Sequence, residues 1–104
     1  MRGSLSRRVT RVERGLARIA RAVERRSQEG QAPSDWRRLE EEVWSLVQEA
    51  CSLSQAAKSK GDIRTSQACV GMALRGLALL GRLRRERELE EIRALVERME
   101  GGSG

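Results

Sequence analysis

The sequence AAKSKGDIRTS, residues 56–66, contains the turn around which the rest of the chain is organised. Before this turn, apolar residues recur every three or four positions, as on one face of a helix: Trp36, Leu39, Val43, Leu46, Val47, Ala50, Leu53 and Ala57. After the turn, the same spacing continues in a set that we call the Ile63 face: Ile63, Val70, Leu74, Leu77 and Gly81. Gly61 suits the left-handed residue just past a helix end, and Asp62 can cap the next helix. We therefore predict an antiparallel helical hairpin in which the Ile63 face packs against the preceding helix, burying Leu74 and Leu46.

The helix after the turn has a second apolar face with the same spacing. This Cys69 face consists of Cys69, Met72, Gly76, Leu79, Leu80 and Leu83. A helix that is apolar on most sides lies between partners. With the Ile63 face assigned to the hairpin, the Cys69 face is predicted to be an interface between copies of the chain. Farther along, Leu89, Ile92, Val96 and Met99 extend beyond the start of the preceding helix and need the first helix or another subunit to cover them.

Composition indicates one small all-α domain. The 104 residues include no His, Phe or Tyr and only one Pro, and 35% of them are charged. We predict three helices, at about 4–28, 35–60 and 62–99, with coiled-coil-like packing. The chain then divides into a basic amphipathic helix within residues 1–30, the helical hairpin within residues 31–100 and a flexible tail at residues 101–104. The segment SQEGQAPSD, residues 27–35, is the only clear linker.

The first predicted helix has an apolar face and a basic face. The apolar residues are spaced by four and three positions: Leu5, Val9, Val12, Leu16, Ile19 and Val23. The basic residues have the same spacing, and we call them the arginine row: Arg7, Arg11, Arg14, Arg18, Arg21 and Arg25. The row is roughly 27 Å long at 1.5 Å per residue. Such a row fits the phosphates of a nucleic acid. It also fits a solvated face, or one paired with the acidic region Glu86–Glu97. A membrane surface is not favoured, because the apolar face has no Trp or Phe.

The chain offers little for catalysis. It has no His or Tyr for proton transfer, no serine elbow motif and no glycine-rich phosphate loop. We therefore predict no enzymatic activity, no cofactor, no metal site and no small-molecule substrate. Cys51 and Cys69 fall nearly level across the hairpin, and we predict two small buried hydrophobes, although a disulfide is geometrically conceivable. Two cysteines in a helical chain indicate a reducing compartment, so we predict a cytoplasmic protein.

The hairpin resembles phage small DNA-packaging, or small terminase-like, proteins. The resemblance lies in GDIRTSQA at residues 61–68 and LALLGRL at residues 77–83, within a match that covers about residues 36–83. It implies a cytoplasmic, oligomerising, DNA-handling protein without enzymatic activity of its own. Such proteins carry a helix-turn-helix before the hairpin, whereas residues 1–30 of this chain read as one basic helix.

Two functions follow from these patterns. The first is a non-enzymatic homo-oligomer that associates with nucleic acid, without sequence specificity, through the arginine row. The second is a purely structural or protein-interaction helical bundle, natural or engineered, in which the arginine row is only solvated.

Overall fold

A computed structural model of the chain describes residues 2–28 and 36–102 as three helices. These are α1 (Arg2–Gln28), α2 (Trp36–Ser59) and α3 (Ile63–Gly102), so the predicted all-α hairpin bundle is confirmed. Helix α3 continues to Gly102, and half of the predicted tail at residues 101–104 is therefore helical. The remainder of that tail, and most of the predicted linker, lie outside the described residues.

The turn between α2 and α3 has the predicted chemistry. Gly61 has a φ of 78°, the left-handed conformation that glycine adopts without a Cβ clash. The Gly61 N–H donates to the Lys58 carbonyl at 3.0 Å, and the Asp62 N–H donates to the Ala57 carbonyl at 2.9 Å. These two bonds form a Schellman motif, which satisfies the last carbonyls of α2. Asp62 Oδ1 accepts the Thr65 N–H at 3.1 Å and so caps α3.

Helices α2 and α3 pack along most of the length of α2. The predicted apolar face of α2 is buried at Val43, Val47, Ala50, Leu53 and Ala57. Near the turn, the Ser54 and Ser66 hydroxyl oxygens are 2.9 Å apart. At the other end, Arg87 Nε lies 3.3 Å from Glu40 Oε1. These two contacts fix the register of the hairpin.

The face of α3 that packs against the core is the opposite of the one that we predicted. The Ile63 face is open to solvent, with Leu74 62% and Val70 48% exposed. The Cys69 face, predicted to join copies of the chain, is instead packed within the core of a single chain: Leu83 is fully buried and Leu80 is 4% exposed. Cys69, Met72 and Gly76 are also buried, and Leu79 is partly buried against the core. The prediction that Leu74 is a core residue is therefore wrong.

The Cys69 face is buried in place of the Ile63 face because α1 packs against both other helices of the same chain. Its predicted apolar face is buried at Val12, Leu16, Ile19 and Val23. A Cβ added to Gly76 would lie 2.6 Å from Val47 Cγ2 of α2 and 3.4 Å from Leu16 Cδ2 of α1. Three helices can meet here only if α3 presents a small residue, and the Cys69 face supplies it. The Ile63 face, which has Leu74 and Leu77 at this level of the helix, is left outside.

The last turns of α3 project beyond the other two helices. Every residue from Glu91 to Gly101 is exposed, and we call this segment the C-terminal arm. The molecule is correspondingly elongated, with extents of 66 × 20 × 16 Å. Helix α1 does not cover the arm, so its apolar residues have no contact within the described part of the chain that buries them.

The two cysteines and Trp44 differ in how far they are exposed to solvent. Cys69 is buried as predicted, but Cys51 is exposed, so the prediction of two buried thiols is wrong for Cys51. Both thiols are free. Trp44 of α2 is 48% exposed. Among residues 2–28 and 36–102, no helix combines the length and the apolar character needed to cross a bilayer.

Candidate nucleic-acid interface

The positive charge of the chain is concentrated on α1. Residues 2–28 contain nine arginines and two glutamates, a net charge of +7, whereas the whole chain has a net charge of +6. The rest of the chain is therefore close to neutral. Because α1 packs lengthwise on the bundle, this charge is spread along one side of the molecule instead of being clustered at an end.

The arginine row lies on the solvent side of α1. Val12 and Ile19, on the opposite side of the helix, are each 1% exposed and hold α1 against the core. All six members of the row are exposed, as the sequence predicted: Arg7, Arg11, Arg14, Arg18, Arg21 and Arg25. Because the apolar face of α1 is buried against the core, the arginine row on the opposite face is exposed to solvent.

Two acidic side chains next to the arginine row form ion pairs with arginines outside the row. Arg8 donates from Nε and Nη2 to Glu49 Oε1 at 3.1 and 3.0 Å, and it lies outside the row. Arg82 of α3 donates to Glu24 Oε2 at 3.2 Å. These ion pairs tie α1 to α2 and α3. They also use acidic groups that could otherwise have neutralised the row.

Within the row, only Arg18 makes an ion pair with a residue that the structure describes. Its Nη2 lies 3.8 Å from Glu42 Oε2, and its side chain is 73% exposed. A pair this long and this exposed contributes little. The other five guanidinium groups have no ion-pair partner among residues 2–28 and 36–102. The predicted alternative, in which the row pairs with Glu86–Glu97, is not what the described part of the chain shows.

Two shallow grooves follow the row. One is lined by Arg14, Arg18, Arg21 and Arg25, together with Ala17 and Ala22. The other is lined by Arg7, Arg11 and Arg14, with Ser6 and Thr10. The small residues between the arginines allow an extended ligand to approach the helix closely. The guanidinium groups that line such a groove can each donate two hydrogen bonds to a phosphate.

Two glutamates of α2 contact α1, and no local pattern in the sequence identifies them. Glu42 and Glu49 are seven positions apart, so they lie on one side of α2, two turns apart. Their partners on α1, Arg18 and Arg8, are ten positions apart, so the two spacings do not match. These contacts depend on the register in which α1 and α2 pack.

Two features of the described part of the chain bear on metal binding and on the reactivity of its buried thiol. Residues 2–28 and 36–102 contain no group of three or more His, Cys, Asp or Glu side chains placed to hold a metal ion. Burial raises the pKa of the Cys69 thiol above its usual value, and the nearby Asp62 carboxylate raises it further. A raised pKa keeps this thiol protonated and unreactive.

Comparison of the chain with protein-family models, with curated proteins and with solved structures gives no match.

Proposed function

We propose that this chain is a non-enzymatic, self-associating helical protein that binds nucleic acid through the arginine row of α1. The phosphate backbone would be the ligand, and the guanidinium groups would displace its condensed counterions. The resemblance of the hairpin to small terminase-like proteins points in the same direction, towards DNA. It lies in residues 61–68 and 77–83, within a match that covers about residues 36–83.

The observation that carries this proposal is the solvent exposure of the arginine row, together with the small number of ion pairs that it makes with described residues. Five of its six guanidinium groups are exposed and have no ion-pair partner among the described residues, although Glu24 and Glu49 of the same region form ion pairs beside it. Keeping like charges along one helix face costs stability, since they repel one another. A polyanion relieves that repulsion when it binds.

The proposed binding is independent of base sequence. The two grooves are lined by arginine, alanine, serine, threonine and one glutamate, without an aromatic side chain on which a base could stack. The Thr10 hydroxyl, which lines the second groove, already donates to the Ser6 carbonyl at 2.9 Å. Contacts of this kind position a protein on the backbone and carry no sequence information directly.

The second candidate function is a structural or protein-interaction bundle. The exposed aliphatic residues of α3 favour it, since Leu74 and Met99 are 62% and 67% exposed. This function leaves the arginine row without a ligand. The two candidates therefore differ in whether the row contributes to binding a nucleic acid.

The test compares two triple variants that remove the same amount of charge. Arg11→Gln, Arg14→Gln and Arg21→Gln together alter the row, while Arg64→Gln, Arg75→Gln and Arg98→Gln alter three exposed arginines of α3. Fluorescence anisotropy with a labelled duplex of arbitrary sequence gives the affinity. We expect the row variant to bind on the order of 100-fold more weakly at 0.1 M salt, because three phosphate contacts are lost.

The matched variant on α3 should retain most of the affinity. Circular dichroism should show the same helical content and thermal unfolding for both variants, because exposed charges contribute little to folding. Equal affinities for the two variants, or no measurable binding by the unmodified chain, would leave the structural bundle as the function.

A further inference from the structure

Helix α3 carries an apolar surface along nearly its whole length that nothing in the described chain covers. We call it the open face, and its members are between 44% and 67% exposed: Ile63, Val70, Leu74, Leu77, Leu89, Ile92, Leu95, Val96 and Met99. At 3.6 residues per turn these residues fall within about one third of the helix circumference, over roughly 54 Å. The face consists of two apolar sets, at residues 63–77 and 89–99, and exposed apolar patches of this kind mark an interaction site.

We propose that the open face binds the open face of a second copy of this chain, with the two α3 helices antiparallel. This inference is independent of nucleic-acid binding. It also assigns self-association to the side of α3 opposite to the Cys69 face, which belongs to the core.

The spacing of the open face matches itself when the helix is reversed. Read forwards, Val70, Leu74 and Leu77 are separated by four and three residues. Read backwards, Met99, Leu95 and Ile92 are separated by four and three residues as well. A two-fold axis between residues 84 and 85 therefore places each residue of the first set opposite one of the second set in the partner copy. Such self-complementarity is what an isologous dimer requires.

Three charged residues lie between the two apolar sets. Arg84, Arg85 and Glu88 are all exposed on or beside the open face. The proposed axis places Arg84 of one copy opposite Arg85 of the other, with Glu88 of each copy one turn away, and it places Glu88 opposite Gly81. A parallel dimer in register would also bring arginine against arginine, and in addition it would bring Glu88 against Glu88, which is unfavourable.

The proposed dimer gives a reason for a glycine at position 81. It lies in the interior of a helix, where glycine costs up to about 1 kcal/mol relative to alanine. A Cβ added there would meet nothing within 4 Å, so no contact within the chain requires a glycine. The proposed axis places Gly81 opposite Glu88 of the partner copy, close to the centre of the interface, where a missing side chain leaves room for the carboxylate.

The open face is also large enough to form a specific interface. Its eight aliphatic side chains between residues 70 and 99 offer on the order of 800 Å² of accessible surface, the area that each partner buries in a standard specific interface. The C-terminal arm needs such a partner most. A projecting helix of about three turns is marginal in water on its own, and the antiparallel dimer lays each arm along residues 70–77 of the other copy.

The test measures mass in solution by light scattering at tens of micromolar, without nucleic acid. The unmodified chain should have twice the monomer mass of 11.7 kDa. Leu74→Glu alone and Leu95→Lys alone should each give a monomer, because a charge would be buried opposite an aliphatic side chain. Both positions are exposed within the chain, at 62% and 50%, so circular dichroism should show unchanged helices.

The double variant Leu74→Glu, Leu95→Lys should form a dimer again. The antiparallel pairing places the introduced carboxylate opposite the introduced ammonium group of the partner copy, whereas a parallel pairing would place like charges together. Ala94→Lys, an exposed neighbour turned away from the open face, is the matched control and should remain dimeric.

Each contrary outcome overturns the proposal. A monomer for the unmodified chain would assign the open face to another partner, and binding of that monomer to anionic phospholipid vesicles would identify a lipid surface. A dimer that persists in both single variants would place the interface elsewhere. Single variants that dissociate, with a double variant that stays monomeric, would exclude the antiparallel pairing.

Discussion

At the scale of single residues, Gly76 is where all three helices meet. It is buried, and a Cβ at this position would lie 2.6 Å from Val47 Cγ2. Val47 cannot easily yield, because it is 3% exposed and a β-branched side chain in a helix has one strongly preferred rotamer. The absence of a side chain at one position thus sets how closely α3 approaches α1 and α2.

Gly76→Ala should therefore destabilise the fold although alanine is the better helix former. We expect the free energy of unfolding in denaturant to fall by about 1–3 kcal/mol, the usual effect of overpacking a core. Gly71→Ala is the control, because a Cβ there would meet nothing within 4 Å. It should raise the free energy of unfolding by up to about 1 kcal/mol. Stabilisation by both substitutions would mean that the helices do not meet at Gly76.

The two cysteines should differ sharply in reactivity. Cys51 is exposed, whereas Cys69 is buried and burial raises its pKa. A chromogenic disulfide reagent should modify one thiol per chain rapidly and the second only as the protein opens. Cys51→Ser should remove the fast phase, and Cys69→Ala should leave it intact. Two equally fast thiols in the folded chain would contradict the burial of the Cys69 face.

At the scale of secondary-structure elements, the hairpin turn is the part that local chemistry determines. Gly61→Ala should cost about 1–2 kcal/mol of stability, because an L-residue with a Cβ is strained at positive φ. Asp62→Ala should cost about 1 kcal/mol through loss of the helix cap, whereas Asp62→Asn should be nearly neutral because Asn caps equally well. Chemical denaturation of the three variants measures these differences. Equal losses for Asp62→Ala and Asp62→Asn would show that the cap does not stabilise α3.

The elements also show what the sequence could and could not determine. The apolar faces of α1 and α2 were predicted correctly, because each of these helices has one apolar face with an unambiguous period. The turn was predictable because Gly61 and Asp62 each have a local reason to be there. Helix α3 has two apolar faces of the same period, and we assigned the one that contains Ile63 and Leu74 to the hairpin because it continues the spacing found before the turn. Side-chain size decided otherwise, since two neighbouring helices had to fit against α3.

The exposure of the arginine row was predicted correctly, whereas the face of α3 that packs against the core was not. Its exposure follows from the burial of the opposite face of α1, which local periodicity reveals. The ion pairs beside it depend on the antiparallel register between α1 and α2, which no local pattern contains. The same limit applies to the packing of α1 on its own chain, which left the Cys69 face unavailable to a partner.

At the scale of the whole molecule, charge and apolar surface are on different elements. The net charge of +7 lies on α1, and the uncovered aliphatic residues lie on α3. One element can therefore contact a polyanion while another contacts a second copy of the chain. A dimer built on the open face would carry two arginine rows and bind the same polyanion twice, which raises avidity wherever both rows can reach it.

The most direct test of the central claim is the salt dependence of binding to duplex DNA. Each phosphate contact contributes about 0.9 to the slope of log affinity against log salt concentration. We expect the combined variant Arg11→Gln, Arg14→Gln, Arg21→Gln to have a slope smaller by about two to three than the unmodified chain, for every duplex sequence tried. The matched variant Arg64→Gln, Arg75→Gln, Arg98→Gln should keep the original slope. An unchanged slope in the first variant would contradict binding through the arginine row.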